Sequence, residues 1–491
     1  MPDREWRTAC AVVCAVVCTA VWLLPARSLP AAETPNIVLI LADDMGYGDP
    51  GCYNPMSRIP TPHIDRLARQ GLRLTDAHAP ASVCVPTRYG LLTGRYPFRS
   101  QRSVRTESRI EPGRLTLGGF LQKQGYRTAC VGKWHQGFEG GKSRKDYALA
   151  IPQGPIARGF DRFYGIPASL DIPPYYWIRD DRCVTPPTAM AVDNFSPGWT
   201  KIQGAFWRAG PVSPDFKFEQ VLPTVERQAV GFIDRWAADS RGDSKTPFFL
   251  YVPLPAPHTP WLPSKEFRGK SGASMYGDFT MMVDATVGAI VGALQKQKIS
   301  GQTLVVFTSD NGPVWYPADT KRLKHSSVGP LRGMKGDAWE AGHRMPMIVR
   351  WPGHVPEGTR SDHLWCHTDF LATVAQITGG RLPAGSGEDS VGQLSVWLDP
   401  KRAEPARRNL VSQSSGRVLS VRERNWKYIP QLGSGGFSKP RRRQPRDGEA
   451  SVQLYDLSKD IGEQRNLSAS EPERLERMRQ LARTLTGLPA R

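Results

Sequence analysis

The side chains with the most chemical potential sit in a few short stretches. Cys84 opens the run Cys84-Val85-Pro86-Thr87-Arg88-Tyr89-Gly90-Leu91-Leu92-Thr93-Gly94-Arg95. Alone, such a cysteine reads as a small buried hydrophobe beside a turn-forming proline. A cysteine or serine of ordinary acidity is also a weak nucleophile until it is activated or modified. Asp43-Asp44 and Asp310-Asn311 offer carboxylate and amide oxygens with no His or Cys among them, the donors a hard cation takes. A lone Asp-Asp pair, however, more often caps a helix or makes an Asx turn. Lys133, His135, His258 and Lys335 lie far apart along the chain. Each by itself reads as a surface lysine or a satisfied polar histidine. They become a site only if the fold gathers them.

The elements that must do so can be read from hydrophobic patterning. Residues 35–42 form a continuous aliphatic run that ends on Asp43, which fits a strand buried on both faces of an α/β sheet. Further strands are expected at 128–131, 248–252, 303–308 and 347–350, with helical patterns at 61–70, 116–124, 221–237 and 276–297. Strands alternating with helices imply a mostly parallel sheet covered on both faces. In open sheets of this kind the site lies outside the carboxyl ends of the strands, so the polar clusters that follow several strands should converge there. From about Gly379 the Gly, Pro and Arg content rises. Short strand-like pieces follow at 409–413, 417–422 and 426–429, then an amphipathic helix at 472–485. At 491 residues the chain exceeds what one ordinary core sustains. The expected organisation is a leader at 1–32, a large α/β domain at 33–385 and a smaller α+β domain at 386–491. Residues 433–449, rich in Gly, Arg and Pro, are expected to form an exposed loop.

The leader sets the compartment. Arg4 and Arg7 precede an apolar run at 9–24, Pro25 ends it, and Pro30-Ala31-Ala32 follows, the layout of a signal peptide. Export to a periplasmic, extracellular or lysosome-like compartment is therefore expected. The run is at the short edge of what spans a bilayer, so an uncleaved anchor is the second reading. No other stretch is expected to cross a membrane. Cys52, Cys84, Cys130, Cys183 and Cys366 remain after the leader. An odd number of cysteines in an exported chain flags one as reactive or modified. If that one is Cys84, the other four have the means to form up to two disulfides. The net charge of +19 favours acidic partners. Without zinc-finger spacing, an RNA-binding signature or a heptad-linked basic region, nucleic acid is not expected among them. Part of the excess reads as solvated arginine, as in Lys439-Pro440-Arg441-Arg442-Arg443.

The stretch at 84–95 resembles the signature of the type I sulfatases, Cys-x-Pro-x-Arg followed by Leu-Thr-Gly-Arg, with Thr87 where Ser is usual. The relationship is to arylsulfatase A-like and N-acetylgalactosamine-6-sulfatase-like chains. It implies that Cys84 is oxidised to formylglycine (3-oxoalanine) by a formylglycine-generating or equivalent maturation enzyme. Hydrated formylglycine offers two hydroxyls on one carbon. In the family's chemistry one, held on a metal, attacks sulfur and expels the alcohol, and deprotonation of the other releases sulfate. Asp43-Asp44 matches the family's Asp-Asp-Met-Gly-Tyr-Gly-Asp motif and Asp310-Asn311 its Asp-Asn-Gly. The resemblance thus makes Asp43, Asp44, Asp310, Asn311 and the modified residue 84 the metal ligands, for Ca2+ in preference to Mg2+. Asp49, in the first motif, reads as a supporting residue.

The remaining motifs supply the substrate groups. Gly132-Lys133-Trp134-His135 resembles a family segment in which the position of Lys133 contacts sulfate or formylglycine and that of His135 is the base for sulfate release. Ala256-Pro257-His258-Thr259-Pro260 resembles the segment whose His binds sulfate and protonates the leaving oxygen. Gly333-Met334-Lys335, followed by Glu340-Ala341-Gly342-His343-Arg344-Met345-Pro346, resembles Gly-x-Lys…Glu-Gly-Gly-x-Arg-Val-Pro, with Ala341 for the first Gly of the second part. By that likeness Lys335 holds a sulfate oxygen. Tyr164-Gly165-Ile166-Pro167-Ala168-Ser169 resembles an arylsulfatase segment whose Ser hydrogen-bonds sulfate, and Arg88 would orient formylglycine. His63, His78, His325, His343, His354, His363 and His367 read as ordinary polar residues, although His325 is near enough to Lys335 in sequence to line the cleft. The likeness runs from Asn36 to Leu454-Tyr455-Asp456-Leu457…Asn466-Leu467. It implies an alkaline-phosphatase-like α/β/α sandwich with a large, mostly parallel sheet and a small C-terminal domain.

The expected enzyme is a sulfuric ester hydrolase acting on a sulfated small molecule or glycan. A phosphodiesterase or phosphonate monoester hydrolase of the same superfamily is the alternative, and an exported carbohydrate-binding protein with a decayed site is a second. The complete set of motif residues speaks against decay. Residues 163–193, with Pro173-Pro174-Tyr175-Tyr176-Trp177, are rich in aromatic rings and expected to border the cleft. Aromatic faces pack on sugars and aryl groups alike. The basic surface favours a sulfated sugar over a simple aryl sulfate.

Overall fold

The aliphatic run after Pro35 becomes β1 (Asn36–Asp43), buried along its whole length. In the computed structural model, residues 34–140, 146–239, 246–402 and 404–488 are described, so the leader read at 1–32 lies outside the described residues. The strands that follow are β2 (Leu72–His78), β3 (Arg127–Lys133), β4 (Arg162–Ile166), β5 (Ile178–Arg179) and β6 (Arg182–Cys183). A separate two-stranded ribbon pairs β7 (Ala189–Ala191) with β8 (Gly210–Val212). The main sheet then gains β9 (Phe248–Pro257), β10 (Thr303–Ser309), β11 (Arg344–Arg350), β12 (Thr359–Ser361) and β13 (Trp365–Cys366).

Eleven strands form this sheet in the order β12-β2-β11-β10-β1-β9-β3-β4-β5-β6, with β13 on β2. β1 runs parallel to both neighbours, Asn36 opposite Thr303 and Ile37 opposite Phe249. β3 is parallel to β9 and to β4. β11 is antiparallel to β10 and to β2, so β2 again runs with β1. The carboxyl ends of β2, β10, β1, β9, β3 and β4 therefore share one edge. This is the mostly parallel, two-faced sheet expected from the sequence.

Helices cover both faces. In chain order they are α1 (Pro62–Arg69), α2 (Cys84–Thr93), α3 (Leu117–Lys123), α4 (Val221–Asp239) and α5 (Ser274–Lys296). The later ones are α6 (Pro317–Leu323), α7 (Glu340–His343), α8 (Phe370–Thr378) and α9 (Leu394–Leu398). The period of two along β1 divides the core. Val38, Ile40 and Ala42 pack with α1, α4 and α5, whereas Ile37, Leu39 and Leu41 pack with α2, α3, α8 and α9. Asp284 of α5 reaches across to the start of α1, accepting hydrogen bonds from the His63 and Ile64 backbone N–H groups at 3.0 and 2.8 Å. By length and composition α5 is apolar enough to cross a membrane, contrary to the expectation for the stretches after the leader. Here it is a core helix, with Tyr276, Phe279, Val283, Val287 and Ile290 in the first cluster.

A second, antiparallel sheet of four strands follows, β14 (Asn409–Gln413), β15 (Leu419–Glu423), β16 (Trp426–Ile429) and β17 (Gln453–Asp456). The final helix α10 (Pro472–Thr486) lays Leu475, Met478 and Ala482 against Val411, Val421, Tyr428 and Leu454. β14 also pairs with the segment just before α2: Gln413 N–H donates to Pro80 O at 3.0 Å and Ser82 N–H to Gln413 O at 2.9 Å. Behind that contact lies a buried junction of charges. Lys427 Nζ is 2.9 Å from both Glu340 and Glu463, and Arg422 is 2.7 Å from Asp76. Arg344 reaches Asp76 at 3.1 Å and Glu340 at 3.2 Å. The stretch at 433–449 is only partly exposed, since Ser434, Gly435 and Gly436 are buried, Ser434 and Gly436 against the loop that carries Lys335 and Gly435 against Val418. Among the described residues all five cysteines are free thiols, so the two disulfides allowed by the count do not form. Cys84, Cys130 and Cys366 are each shut in the interior among other partners.

Candidate active site

α2 begins at Cys84, so Pro86 falls in the first turn, where a missing N–H costs no helical hydrogen bond. Thr87 Oγ1 donates to Ala81 O at 2.7 Å, a bond that a serine hydroxyl makes equally well. A Cβ on Gly90 would lie 2.6 Å from Pro80, so the helix rests on that proline only because residue 90 has none. Arg95 NH1, 3.0 Å from Glu111 and 3.1 Å from the Tyr89 hydroxyl, ties the far end of α2 in place.

Arg88, on the same helix and fully buried, turns under the strand ends. Its guanidinium lies 2.8 Å from Asp310 Oδ2 and 3.5 Å from Asp43 Oδ2, and NH1 donates to Lys133 O at 3.0 Å. Asp43 closes β1 and Asp44 follows with φ 65°, a conformation few side chains other than Asn and Asp accept. Lys133, at the end of β3, bonds Asp43. Lys335 Nζ lies 2.6 and 2.7 Å from the two Asp44 oxygens. Asp310, directly after β10, accepts from Asp44 N–H at 3.2 Å, and Asn311 Nδ2 donates to Asp44 Oδ1 at 2.6 Å. His258, directly after β9, puts Nε2 3.7 Å from Asp44 Oδ2. Its Nδ1 faces Thr259 O at 2.5 Å. A carbonyl can only accept, so Nδ1 carries the proton and Nε2 is left free.

His135 follows β3 in another left-handed conformation, φ 53°. Its N–H donates to Pro167 O at 3.1 Å, and its Nδ1 lies 3.4 Å from Cys84 Sγ. Gln136 Nε2, donating to Val85 O at 2.8 Å, ties this turn to α2. Ser169, past the end of β4, is buried with its Oγ lacking any hydrogen-bond partner among the described residues. The structure thus brings Asp43, Asp44, Cys84, Arg88, Lys133, His135, His258, Asp310, Asn311 and Lys335 to one edge of the sheet, with Ser169 on the turn beside His135.

The electrostatics follow from burying these charges together. Burial pushes the Asp43 carboxyl up, but Lys133, His258 and Arg88 outweigh it and hold the group well below the usual carboxylate range. Burial and the neighbouring Asp43 charge push Asp310 up to about 7. Burial, with Lys133 and Arg88 nearby, holds His135 well below the usual imidazole range, so its ring is neutral. Burial raises the Cys84 thiol in spite of Lys133 and Lys335. An unmodified Cys84 is therefore a protonated, weak nucleophile.

The acids fit a hard cation. Asp43 Oδ1 and Asn311 Oδ1 are buried with no hydrogen-bond partner among the described residues, the state of an oxygen that has a ligand to bind. Single ligand atoms of Asp43, Cys84 and Asp310 lie within 4.8 Å of one another. Sulfur is the mismatched donor in that oxygen set, and an oxygen on residue 84 would remove the mismatch.

Against His135 opens a cleft of about 480 Å³, walled by Phe138, Tyr176, Ile172 and Pro173, with Asp171 and Arg208 on one side. Asp171 and Arg208 escaped the sequence reading, although Asp171 is two residues from Ser169. Two other residues are not part of the site. Asp49 is buried between Tyr276 OH at 2.6 Å and His325 Nε2 at 2.9 Å, bracing the loop after β1. His325 is shut in the interior beside Trp315 rather than lining the cleft.

Comparison with known proteins agrees with this architecture. The Sulfatase family model matches residues 35–380. An N-acetylgalactosamine-6-O-sulfatase of Bacteroides thetaiotaomicron is 32% identical over 478 residues, 90% of this chain and 91% of that protein. Human arylsulfatase A is 33% identical, covering 93% of this chain and 88% of its own. A solved structure from work on the metabolism of multiple glycosaminoglycans by Bacteroides thetaiotaomicron superposes with a TM-score of 0.81 at 31% identity, over 93% of this chain and all of that one. The chain belongs to the sulfatase family and has its alkaline-phosphatase-like fold. It is a sulfuric ester hydrolase.

Proposed function

We propose that the enzyme removes sulfate from a sulfated glycan with a formylglycine made from Cys84 and a Ca2+ ion held by Asp43, Asp44, Asp310 and Asn311. The observation that carries this is the pair of unpartnered buried oxygens, Asp43 Oδ1 and Asn311 Oδ1, in the cluster whose Cys84 lies 3.4 Å from His135, a residue that lines the aromatic cleft. Mg2+ is the weaker choice, because its tight octahedral geometry suits four protein oxygens less well. The ion supplies positive charge that lowers the pKa of an oxygen on residue 84 and balances the sulfate. From formylglycine the site gains a carbon bearing two hydroxyls, chemistry a thiol lacks.

The chain's own side chains do the rest. Arg88, bonded to Asp310 and to Lys133 O, fixes the metal acids relative to α2. Lys133 and Lys335 are buried cations whose fixed charge stabilises the sulfuryl group as charge builds on it. Ser169 Oγ offers a hydrogen bond to sulfate. His258 Nε2, the ring nitrogen left free by the Thr259 contact and 3.7 Å from Asp44, is the atom through which a proton passes to the departing alcohol oxygen. His135, neutral and 3.4 Å from residue 84, accepts the proton whose loss frees the sulfate.

A glycan substrate is supported by the walls of the cleft and by the names of the relatives, one an N-acetylgalactosamine-6-O-sulfatase. Residues 1–32 are read as an export leader, and 33–385 and 386–491 as the catalytic and small C-terminal domains. The test is sulfate release from defined sulfated saccharides, in parallel with phosphate mono- and diesters. Sulfate release that stops with a chelator, returns with Ca2+ and is absent in Cys84→Ala is expected. Preferential hydrolysis of phosphodiesters would overturn it in favour of a phosphodiesterase or phosphonate hydrolase.

A further inference from the structure

The turn after β4 carries a second unpartnered buried oxygen. Ile172 N–H donates to Ser169 O at 3.0 Å, closing a turn in which Asp171 is 7% exposed and its Oδ1 has no hydrogen-bond partner among the described residues. Asp171 Oδ2 accepts from Arg208 NH1 at 2.7 Å, and the same NH1 donates to Asp171 O at 2.8 Å. Arg208 is held from behind as well: its carbonyl accepts from the Tyr175 hydroxyl at 2.8 Å, and its guanidinium lies 4.9 Å over the Phe206 ring. Its Nε and NH2 make no bond among the described residues, and the side chain is half exposed. A fixed acceptor and a fixed donor thus stand side by side in the wall of the cleft that reaches His135.

The chemistry of the pair selects among ligands. An anionic group meets the Asp171 carboxylate, and a cationic group meets the Arg208 guanidinium. An aryl ring would leave the already buried Asp171 Oδ1 without a donor, and a buried unpaired acceptor is costly. A hydroxyl both donates and accepts, so neighbouring hydroxyls satisfy both side chains at once. Phe138, Tyr176, Ile172 and Pro173 then cover the C–H face of the ring that carries them.

We propose that Asp171 and Arg208 form a subsite that reads neighbouring hydroxyls of a neutral sugar ring whose sulfate ester reaches residue 84, and so set the preference for a sulfated saccharide over an aryl sulfate. This rests on the hydrolytic reading above and names the part of the substrate it left open.

The test measures kcat and KM for wild type, Asp171→Asn and Arg208→Gln on a sulfated monosaccharide, on its analogue lacking the hydroxyl next to the ester, and on 4-nitrophenyl sulfate. For the intact sugar, kcat/KM should fall about tenfold to a hundredfold in each variant, mainly through KM, as expected for lost hydrogen bonds to charged groups. The deoxy analogue should cost wild type a similar factor and the variants little more, and the loss on 4-nitrophenyl sulfate should be at least about tenfold smaller than that on the sugar. Equal losses on sugar and aryl substrates, or none on the sugar, would overturn the subsite. Wild-type turnover of 4-nitrophenyl sulfate with no sulfated saccharide accepted would overturn it while leaving the sulfatase chemistry standing. Calorimetric titration of the same sulfated monosaccharide into protein that also carries the inactivating Cys84→Ala substitution reads the subsite without turnover. Binding that is weakened by both substitutions supports it even if the hydrolytic reading fails, and unaltered binding overturns it.

Discussion

At the scale of single residues the site is a balance of buried opposite charges. Removing one partner strands the others. Arg88→Ala leaves Asp310 and Asp43 without their guanidinium in a fully buried setting, and should cost about 3–5 kcal/mol of stability. Chemical denaturation would show this as a lower midpoint at constant slope. Asp310→Ala tests the cation itself. Added Ca2+ should raise the melting temperature of the wild type and leave that of the variant unmoved, because only a bound ligand shifts folding by mass action. Calorimetry reads this without any turnover. His367 gives the pH dependence a definite sign. Burial pushes its imidazole from the ordinary 6.5 down to about 4. The unfolded chain therefore binds a proton that the folded chain refuses. The stability this contributes is complete above pH 6.5 and is lost as pH falls towards 4, by about 3 kcal/mol in all. His367→Gln should flatten that part of the acid decline in thermal melts.

At the scale of elements, the long strands and helices were legible because their patterns are strong. β1, β9 and β10 are unbroken apolar runs, and α4 and α5 carry a clear helical period. The motif residues after β1, β3, β9 and β10 were legible as a group because each matches a segment of the sulfatase motifs as well as following a strand whose end could be read. β2 was missed. Its sequence Leu72-Arg73-Leu74-Thr75-Asp76-Ala77-His78 interleaves charge with aliphatics, and only the fold reveals that Asp76 and His78 are buried against Arg422. β17 was missed because Gln453 and Asp456 make it read as polar, although all four of its residues are buried. The partnership of Asp171 with Arg208 had no signal, because 37 residues separate them and neither falls in a recognisable pattern. The cap on α1 was equally invisible, since its acceptor belongs to α5. Asp284→Ala should leave the His63 and Ile64 N–H groups unsatisfied and cost about 1–2 kcal/mol. Asp284→Asn, which keeps an acceptor oxygen, should cost less, and urea unfolding of the two variants compares them directly.

At the scale of the whole molecule, the small sheet is part of the catalytic architecture rather than an appendage. β14 pairs with residues 80–82, and Cys84 follows almost at once. Lys427 and Arg422 neutralise Glu340, Glu463 and Asp76, while α9 places Leu394 and Trp397 in the core of the large sheet. A chain ended after residue 385 loses all of these at once and should fail to fold, giving aggregated protein on expression. Lys427→Met, which leaves Glu463 buried without its cation and Glu340 with only its two arginines, should cost about 3–5 kcal/mol. Because the junction joins both sheets, far-ultraviolet circular dichroism and tryptophan fluorescence should report one coincident unfolding transition for the wild type.

The pairing of β1 with β9 and β10 also sets a timetable. The chain is made from its amino end, and β1 is the first strand of the described fold, yet its partners begin at Phe248 and Thr303. The aliphatic core of this strand must wait until about half of the chain has been made for its first neighbour and longer for the second, and contacts of such long sequence separation form slowly. Until the tenth strand has emerged, this segment is the part of the nascent chain with the most reason to stick to something else. After the apolar run at 9–24, helpers that shield unfinished proteins would find their next binding site here, at 36–43.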